Sequence, residues 1–349
     1  MHSSDGTLRP VVWQIALNEH DRRILCCLDA ACSDFFHNSP RKVKTLTTPM
    51  LFDDCCGGSG GYQELGNGKE MFTFHFDDDA TPWPLSPPSF RSAVTDALRA
   101  VFLPHARHSL AAFLQPLLQN AIANAATRCD EVLAPTLLND LIRDMSESND
   151  ELDGWFKESV LFARHYSRDE EANSESIPQN TPAVGAHTDS GIVTVMFVRH
   201  GISDIKAFEF LCSNPVTQTR SWVSSLDIMK LASSTLSGDD DNDDTECIVC
   251  FFGEMVVPFA EFLLRRQLRE HHNQLTILVQ SIRSELSTAV GVHRVNSALL
   301  TFGVPSPQKP LLRCRHSYPF QLRSDPDLLL ESRSRQLPLG AFTQRFLML

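Results

Sequence analysis

The chain has no run approaching the 18 consecutive apolar residues that a membrane span needs, and its first residues, MHSSDGTLRP, lack a basic stretch leading into an apolar one. A soluble, cytoplasmic protein is the expectation, with neither a membrane nor a secretory route. Positive charge is scarce: 31 Lys and Arg stand against 43 Asp and Glu, a formal charge of -12. That balance disfavours a nucleic-acid backbone or an anionic lipid surface as the main partner. Half of the excess sits in one short stretch, Asp239, Asp240, Asp241, Asp243, Asp244 and Glu246, so the remainder is only mildly acidic. Glycine is sparse, at 16 residues, while Phe reaches 22 and hydrophobic residues 42%. Such a composition excludes a fibrous or wholly disordered chain. There is no internal repeat.

Several motifs are also missing where their fragments stand. The acidic stretch is not an EF-hand loop, because the sixth position from Asp239 is Asp244 rather than Gly and the twelfth is Cys250 rather than Glu. Ten cysteines are scattered, and the single CxxC, Cys247 and Cys250, has no second pair to complete a zinc site. Reduced thiols in a cytosolic protein are expected, with this pair buried on a strand.

At 349 residues the chain has room for roughly two domains of about 150 residues, or for one large β-rich domain with helical additions. Residues 17–36 place Ile24, Leu25, Leu28, Ala31 and Phe35 at helical spacing after Asn18, a plausible cap. Helical pattern returns from Ser89 to about Met145, punctuated by Pro104, Pro116 and Pro135. After Trp155 the texture changes to short β-branched and aromatic runs: VLFARHY, GIVTVMFV, AFEFLC, ECIVCFFGEMVV and SALLTFGV. The chain is therefore expected to be α+β, with an antiparallel sandwich or barrel following a mainly helical front. PFAEFLLRRQLREHH predicts an inserted helix with Pro258 at its first position and Arg265, Arg266 and Arg269 on a solvated face.

With 13 His in an acidic chain, roughly one His-x-Asp triplet arises by chance, so context must decide. His75-Phe76-Asp77 runs into an acidic, Pro-rich loop and reads as a surface coincidence. His187-Thr188-Asp189 opens a strongly β-patterned run, and residues two apart on a strand share a face. An imidazole and a carboxylate can thus reach one metal ion. His293, in VGVHRVNSALLTFG, is the best third donor, ahead of His271 and His272 on the inserted helix and His316 after the last strand. Two His and one carboxylate leave one face of an octahedral Fe(II) open.

With these residues in place, the sequence resembles the isopenicillin N synthase-like family of Fe(II)- and 2-oxoglutarate-dependent dioxygenases. The resemblance is carried, in order, by LDAACSDFF, HNSPRKVKTL and GYQELGNGKEMF; by VLFARHYS leading to GAHTDSGIVTVMFV; by FEFLC, Trp222 and CFFGEMV; and by VHRV with a strand ending near Pro305. It implies a double-stranded β-helix, or jelly-roll, with helices packed outside. The implied organisation is an N-terminal helical region with a GY…KE arm over 1–157, an oxygenase core over 158–322 carrying an insertion at about 236–275, and a C-terminal extension over 323–349. Carried over residue by residue, His187, Asp189 and His293 would ligate iron, and Tyr166 would hydrogen-bond the oxo-acid. The implied activity couples decarboxylation of 2-oxoglutarate and activation of dioxygen to oxidation of a small-molecule substrate. Glu254 matches an acidic position of the family and is expected to be structural, and Phe208 and Phe210 are expected to pack the interior or the pocket wall.

The family normally carries an Arg-x-Ser pair about ten residues after the distal His, to grip the far carboxylate of 2-oxoglutarate. Alignment on Phe302 and Pro305 puts Asn296 and Ala298 there. Arg294 is expected to face away from the metal side, and Arg313 and Arg315 lie on the following segment. Asp189 and His293 are 104 residues apart, longer than is usual in the family. A catalytically silent jelly-roll, kept as a binding or scaffold protein, is the alternative that the missing pair raises.

Overall fold

The computed structural model describes residues 10–47, 60–66, 68–76, 81–126, 154, 156–169, 184–199, 201–214, 216–232, 246–267, 272–296 and 312–324. The strands of the described residues form two sheets, antiparallel throughout. The larger runs β1 (Val12–Ala16), β9 (Cys247–Phe252), β6 (Val193–Val198), β11 (Leu312–Leu322), β4 (Val160–Asp169), β3 (Lys69–His75) and β2 (Gly61–Gly66). The smaller runs β5 (Val184–His187), β10 (His293–Val295), β7 (Phe208–Asn214) and β8 (Thr219–Ser224).

Strand alternation divides the larger sheet into two buried faces. On β9, Ile248, Cys250 and Phe252 join the core on the helical side, whereas Cys247, Val249 and Phe251 join the core shared with the smaller sheet. On β6, Val193, Val195 and Phe197 face the helices, and Met196 and Val198 face the other sheet. Burial on both faces is why CIVCFF and VTVMFV are unbroken apolar runs rather than alternating ones.

The helical face is covered first by α1 (Glu19–Asn38), where Asn18 caps the first turn by accepting from the Asp21 amide at 2.8 Å. Leu25, Leu28, Cys32, Phe35 and Phe36 form its buried stripe. Full burial of a residue such as Phe35 stabilises by about 2–3 kcal/mol over leaving it exposed. After the short α2 (Arg41–Thr45), α3 (Ser89–Ala97) passes through a π turn at Leu98–Phe102 into α4 (Leu103–Ala126). That helix continues through Pro116 instead of breaking there. Short helices α5 (Gly201–Ala207) and α6 (Ser225–Ala232) flank the smaller sheet.

Helix α7 (Val256–Gln267) follows β9 directly, so Pro258 is its third residue rather than its first. Its Val256, Phe259, Ala260, Leu263 and Leu264 are buried in the main core, and Arg265 is half-buried, not on a solvated face. A helix unforeseen from the sequence, α8 (His272–Ala289), packs on α7 and α4. The expected strand over SALLTFGV, the acidic loop near 239–245, the helical pattern beyond Ala126 and Asp77 lie outside the described residues. A long strand that the sequence reading overlooked, β11, runs through the middle of the larger sheet between β4 and β6. His316, expected after the last strand and in solvent, is on β11 with a side chain only 8% exposed.

The N-terminal blocks that carried the resemblance meet at Glu70. Lys44 Nζ donates to Glu70 Oε1 at 2.6 Å and to the Phe36 carbonyl at 2.8 Å, and the Tyr62 hydroxyl donates to the same Glu70 oxygen at 2.5 Å. The lysine segment and the GY…KE arm thus form one part-buried charged lock beneath α1, with Gly61 at φ +111°, where a Cβ would lie 2.1 Å from the Thr47 carbonyl oxygen.

Candidate metal centre

His187 ends β5 and His293 begins β10, and the two are register partners across the antiparallel pair. Their ring centroids are 4.3 Å apart. Asp189, two residues beyond His187, places Oδ1 3.4 Å from His187 Nε2 and 3.8 Å from His293 Nε2. One donor atom from each of the three lies within 4.8 Å of the others. The three residues singled out from the sequence are therefore brought together.

The surroundings fix how these groups point. His187 Nδ1 donates to the Gly185 carbonyl at 2.8 Å, and His293 Nδ1 faces the Gly291 carbonyl at 3.5 Å. A carbonyl can only accept, so the neutral rings carry their proton on Nδ1 and turn the Nε2 lone pair toward Asp189. The Thr194 hydroxyl donates to Asp189 Oδ2 at 2.5 Å, leaving Oδ1 for the imidazoles. Two lone pairs and a carboxylate oxygen converge, and such a set calls for a cation. A proton on His293 does not supply it: burial pushes that imidazole down to about 4. Burial acts against the charge of Asp189, but His187, which donates to it when its ring is protonated, the nearby His293 and the Thr194 hydroxyl outweigh it and hold the carboxyl well below the usual range. At His187 burial is likewise outweighed, here by Asp189 and the Gly185 carbonyl, and the pKa is raised. The donor set and its orientation fit a divalent metal ion of the kind bound by two imidazoles and one carboxylate.

The loop after Asp189 is clamped by the turn after β9. The amides of Gly253, Glu254 and Met255 donate to the carbonyls of Ile192, Asp189 and Gly191 at 3.1, 2.9 and 3.1 Å. Glu254 also accepts from the Thr188 hydroxyl, the structural part expected of it. Phe208, Phe210 and Phe251 ring the imidazole of His293, with centroids 5.4, 5.6 and 4.8 Å away. Phe208 is pocket wall and Phe210 is interior.

The triad opens on a narrow cavity of about 20 Å³ between the two sheets. Its apolar wall includes Val184, Met196, Phe208, Phe251 and Val295, and its polar wall includes Arg164, Tyr166, Arg315 and Ser317. Tyr166, on β4, lines the triad's cavity. Arg315 is 9% exposed, with its Nη2 3.3 Å from Asp204 Oδ2 and its Nε buried without a hydrogen-bond partner. A buried guanidinium with an unused donor is matched to an anion.

Asn296 turns away, its Nδ2 donating to Glu209 Oε1 at 3.4 Å and its amide to the Ala207 carbonyl at 2.8 Å. Ala298 and the Arg313 side chain lie outside the described residues. Arg294 faces away as expected: its Nε donates to Glu209 Oε2 at 2.7 Å and its guanidinium stacks 4.3 Å from the Trp222 ring centre. The cavity instead receives Arg315 and Ser317. Arg315-His316-Ser317 spells Arg-x-Ser, 22 residues after His293 where the family has about ten.

No protein-family model and no curated protein matches the chain. Among solved structures, it is similar to the full-length Neurospora crassa T7H in complex with alpha-KG, at 13% identity and a TM-score of 0.46, over 96% of this chain and 85% of that one. It is also similar to a protein provisionally described as a 2OG-Fe(II) oxygenase family member from Caulobacter crescentus, at 16% identity and a TM-score of 0.47, over 97% and 90% of the two chains. A third, provisionally described as an oxygenase from Shewanella oneidensis, matches at 13% identity and a TM-score of 0.48, over 96% and 88%.

Proposed function

We propose that the chain is a non-heme Fe(II) oxygenase that uses 2-oxoglutarate and dioxygen to oxidise a small organic substrate. The observation that carries this reading is the convergence, in one cavity, of two imidazole lone pairs and a buried carboxylate beside a buried guanidinium with an unused donor. His187, Asp189 and His293 would hold Fe(II), which would let dioxygen, the oxidant, draw two electrons from 2-oxoglutarate as it is decarboxylated and two from a substrate C–H bond.

The chain's own residues do the rest. Arg315 and Ser317 grip the distal carboxylate of 2-oxoglutarate, a task suited to a fork of charged donors. Tyr166 orients the oxo-acid by a hydrogen bond, and Arg164 adds positive charge to the same wall. Met196, Phe208, Phe251 and Val295 exclude water from the cavity. Asp204 balances Arg315 and keeps the guanidinium in place. The silent-scaffold alternative rested on a missing Arg-x-Ser pair, and Arg315 and Ser317 on the cavity wall weigh against it.

In this reading the fold is a distorted jelly-roll of the isopenicillin N synthase type, with the oxygenase core over 158–322, the helical region over 1–157 and an extension over 323–349. The acidic balance favours a small-molecule substrate over nucleic acid, in a cytoplasmic setting. Iron-loaded protein given 2-oxoglutarate and air forms succinate at a slow, substrate-independent rate, and the Asp189→Ala variant does not. Equal rates in the two proteins overturn the proposal.

A further inference from the structure

The alternation that sends Arg164, Tyr166, Arg315 and Ser317 into the cavity sends His165 and His316 to the opposite face of the same two strands. There they are register partners on β4 and β11, with ring centroids 5.0 Å apart. The end of α1 crosses this face and brings His37 to 4.8 Å from the His165 ring and 5.7 Å from the His316 ring. One donor nitrogen from each of the three lies within 4.8 Å of the other two.

The neighbours hold these rings as the outer groups of a metal site hold its ligands. His316 Nδ1 is 3.2 Å from Asp29 Oδ1, and Asp29 also accepts from the Tyr318 hydroxyl at 2.8 Å and from Arg199. His37 Nδ1 lies 3.0 Å from the Ser33 hydroxyl, one turn back on α1. His165 Nε2 lies 3.8 Å from Glu70 Oε2, the second oxygen of the carboxylate that Lys44 and Tyr62 lock. A carboxylate on one imidazole nitrogen orients the ring and raises the basicity of the other. The other nitrogens, His37 Nε2, His165 Nδ1 and His316 Nε2, are all buried, and that of His316 has no hydrogen-bond partner. A buried, basic lone pair without a donor is costly unless a cation takes it.

We propose that His37, His165 and His316 bind a divalent transition-metal ion, Zn(II), at a site separate from the His187, Asp189 and His293 triad. Three neutral imidazoles with no carboxylate among them are donors suited to zinc, whose tetrahedral shell leaves a fourth position. His37 also lines a cleft of about 460 Å³ with Lys44, Tyr62 and Glu70, from which water or an external donor would complete the shell. The ion pins α1 to β4 and β11, the strands whose other faces carry Tyr166, Arg164, Arg315 and Ser317. The proposal stands whether or not the triad supports oxygenase chemistry.

The test uses full-length protein carrying His187→Ala, so that the triad is crippled, stripped with chelator and titrated with Zn(II). One zinc per chain is expected, with a thermal midpoint that rises on binding. Adding His316→Ala, or His37→Gln at the half-buried end of α1, is expected to weaken zinc binding by about 100-fold or more and to remove the thermal shift. Absence of stoichiometric zinc in the His187→Ala protein, or zinc binding that survives both further substitutions, overturns the proposal.

Discussion

Arg315 and Tyr166 are register partners on neighbouring strands, β11 and β4, and the guanidinium lies 6.0 Å from the centre of the tyrosine ring. The ring shields the cation on one side, Asp204 balances it on another, and its Nε is buried without a hydrogen-bond partner. Arg315→Ala is expected to raise the apparent KM for 2-oxoglutarate by about 100-fold, the scale of losing a charge-assisted pair in a desolvated site. Arg315→Lys recovers only part of it, because an ammonium cannot reproduce the fork. Arg294→Ala, on the outer side of β10 against Glu209 and Trp222, leaves that KM unchanged. Succinate formation measured against 2-oxoglutarate concentration decides; an effect of Arg294→Ala as large as that of Arg315→Ala contradicts the assignment.

Gly253 sits where no side chain fits. A Cβ there would lie 2.2 Å from the carbonyl oxygen of Gly191 and 2.7 Å from that of Asp189, both rigid backbone. Gly253→Ala must push the turn off the loop that positions Asp189, at a cost of about 1–3 kcal/mol of stability. A lower thermal midpoint with weaker Fe(II) binding is the expected pair of effects. A variant that binds Fe(II) as the parent does would show that the clamp does not position Asp189.

The thiols of the CxxC give a pH signature with no link to the metal. Burial pushes Cys250 from 9.0 up to about 12, and Cys247 does likewise. Cys250 accepts from the Ser109 hydroxyl at 3.6 Å, and Ser109 in turn accepts from the Trp13 indole. In the unfolded chain these thiols ionise above about pH 9, while the folded chain keeps them neutral. The stability they contribute is therefore complete below pH 9 and is lost as pH rises toward 12. Thermal midpoints of the parent should fall across that alkaline window, and those of Cys250→Ala should fall less steeply. Parallel slopes would show that Cys250 ionisation is not part of the alkaline loss.

Much of the candidate site was legible from residue type and spacing. His187 and Asp189, two apart, were expected to share a strand face; β5 in fact ends at His187, and the loop clamped by the Glu254 amide brings Asp189 to the same point, where His293 on β10 meets them. The place of Arg315 and Ser317 in the cavity was not legible by spacing, since a long stretch of sequence separates β10 from β11 and only strand pairing returns Arg315 beside Tyr166. β11 itself was hidden because its inward residues, Arg315, Ser317 and Pro319, do not read as a strand core; they line a cavity rather than fill it. The His37, His165 and His316 cluster was invisible for a related reason, as it needs both the β4 to β11 register and the docking of α1. Helix α8 lacked a cap signal, and tertiary packing on α4 and α7 supplies what its local pattern did not.

The central claim is that the triad and Arg315 serve one centre. It is tested most directly by anaerobic titration of the metal-stripped protein with Fe(II), with and without 2-oxoglutarate, watching for the weak visible charge-transfer band of a chelated oxo-acid. The account predicts a band in the parent, none in His187→Ala, and in Arg315→Ala a band that needs about 100-fold more 2-oxoglutarate. Iron binding without any band, or a band indifferent to His187, would contradict it.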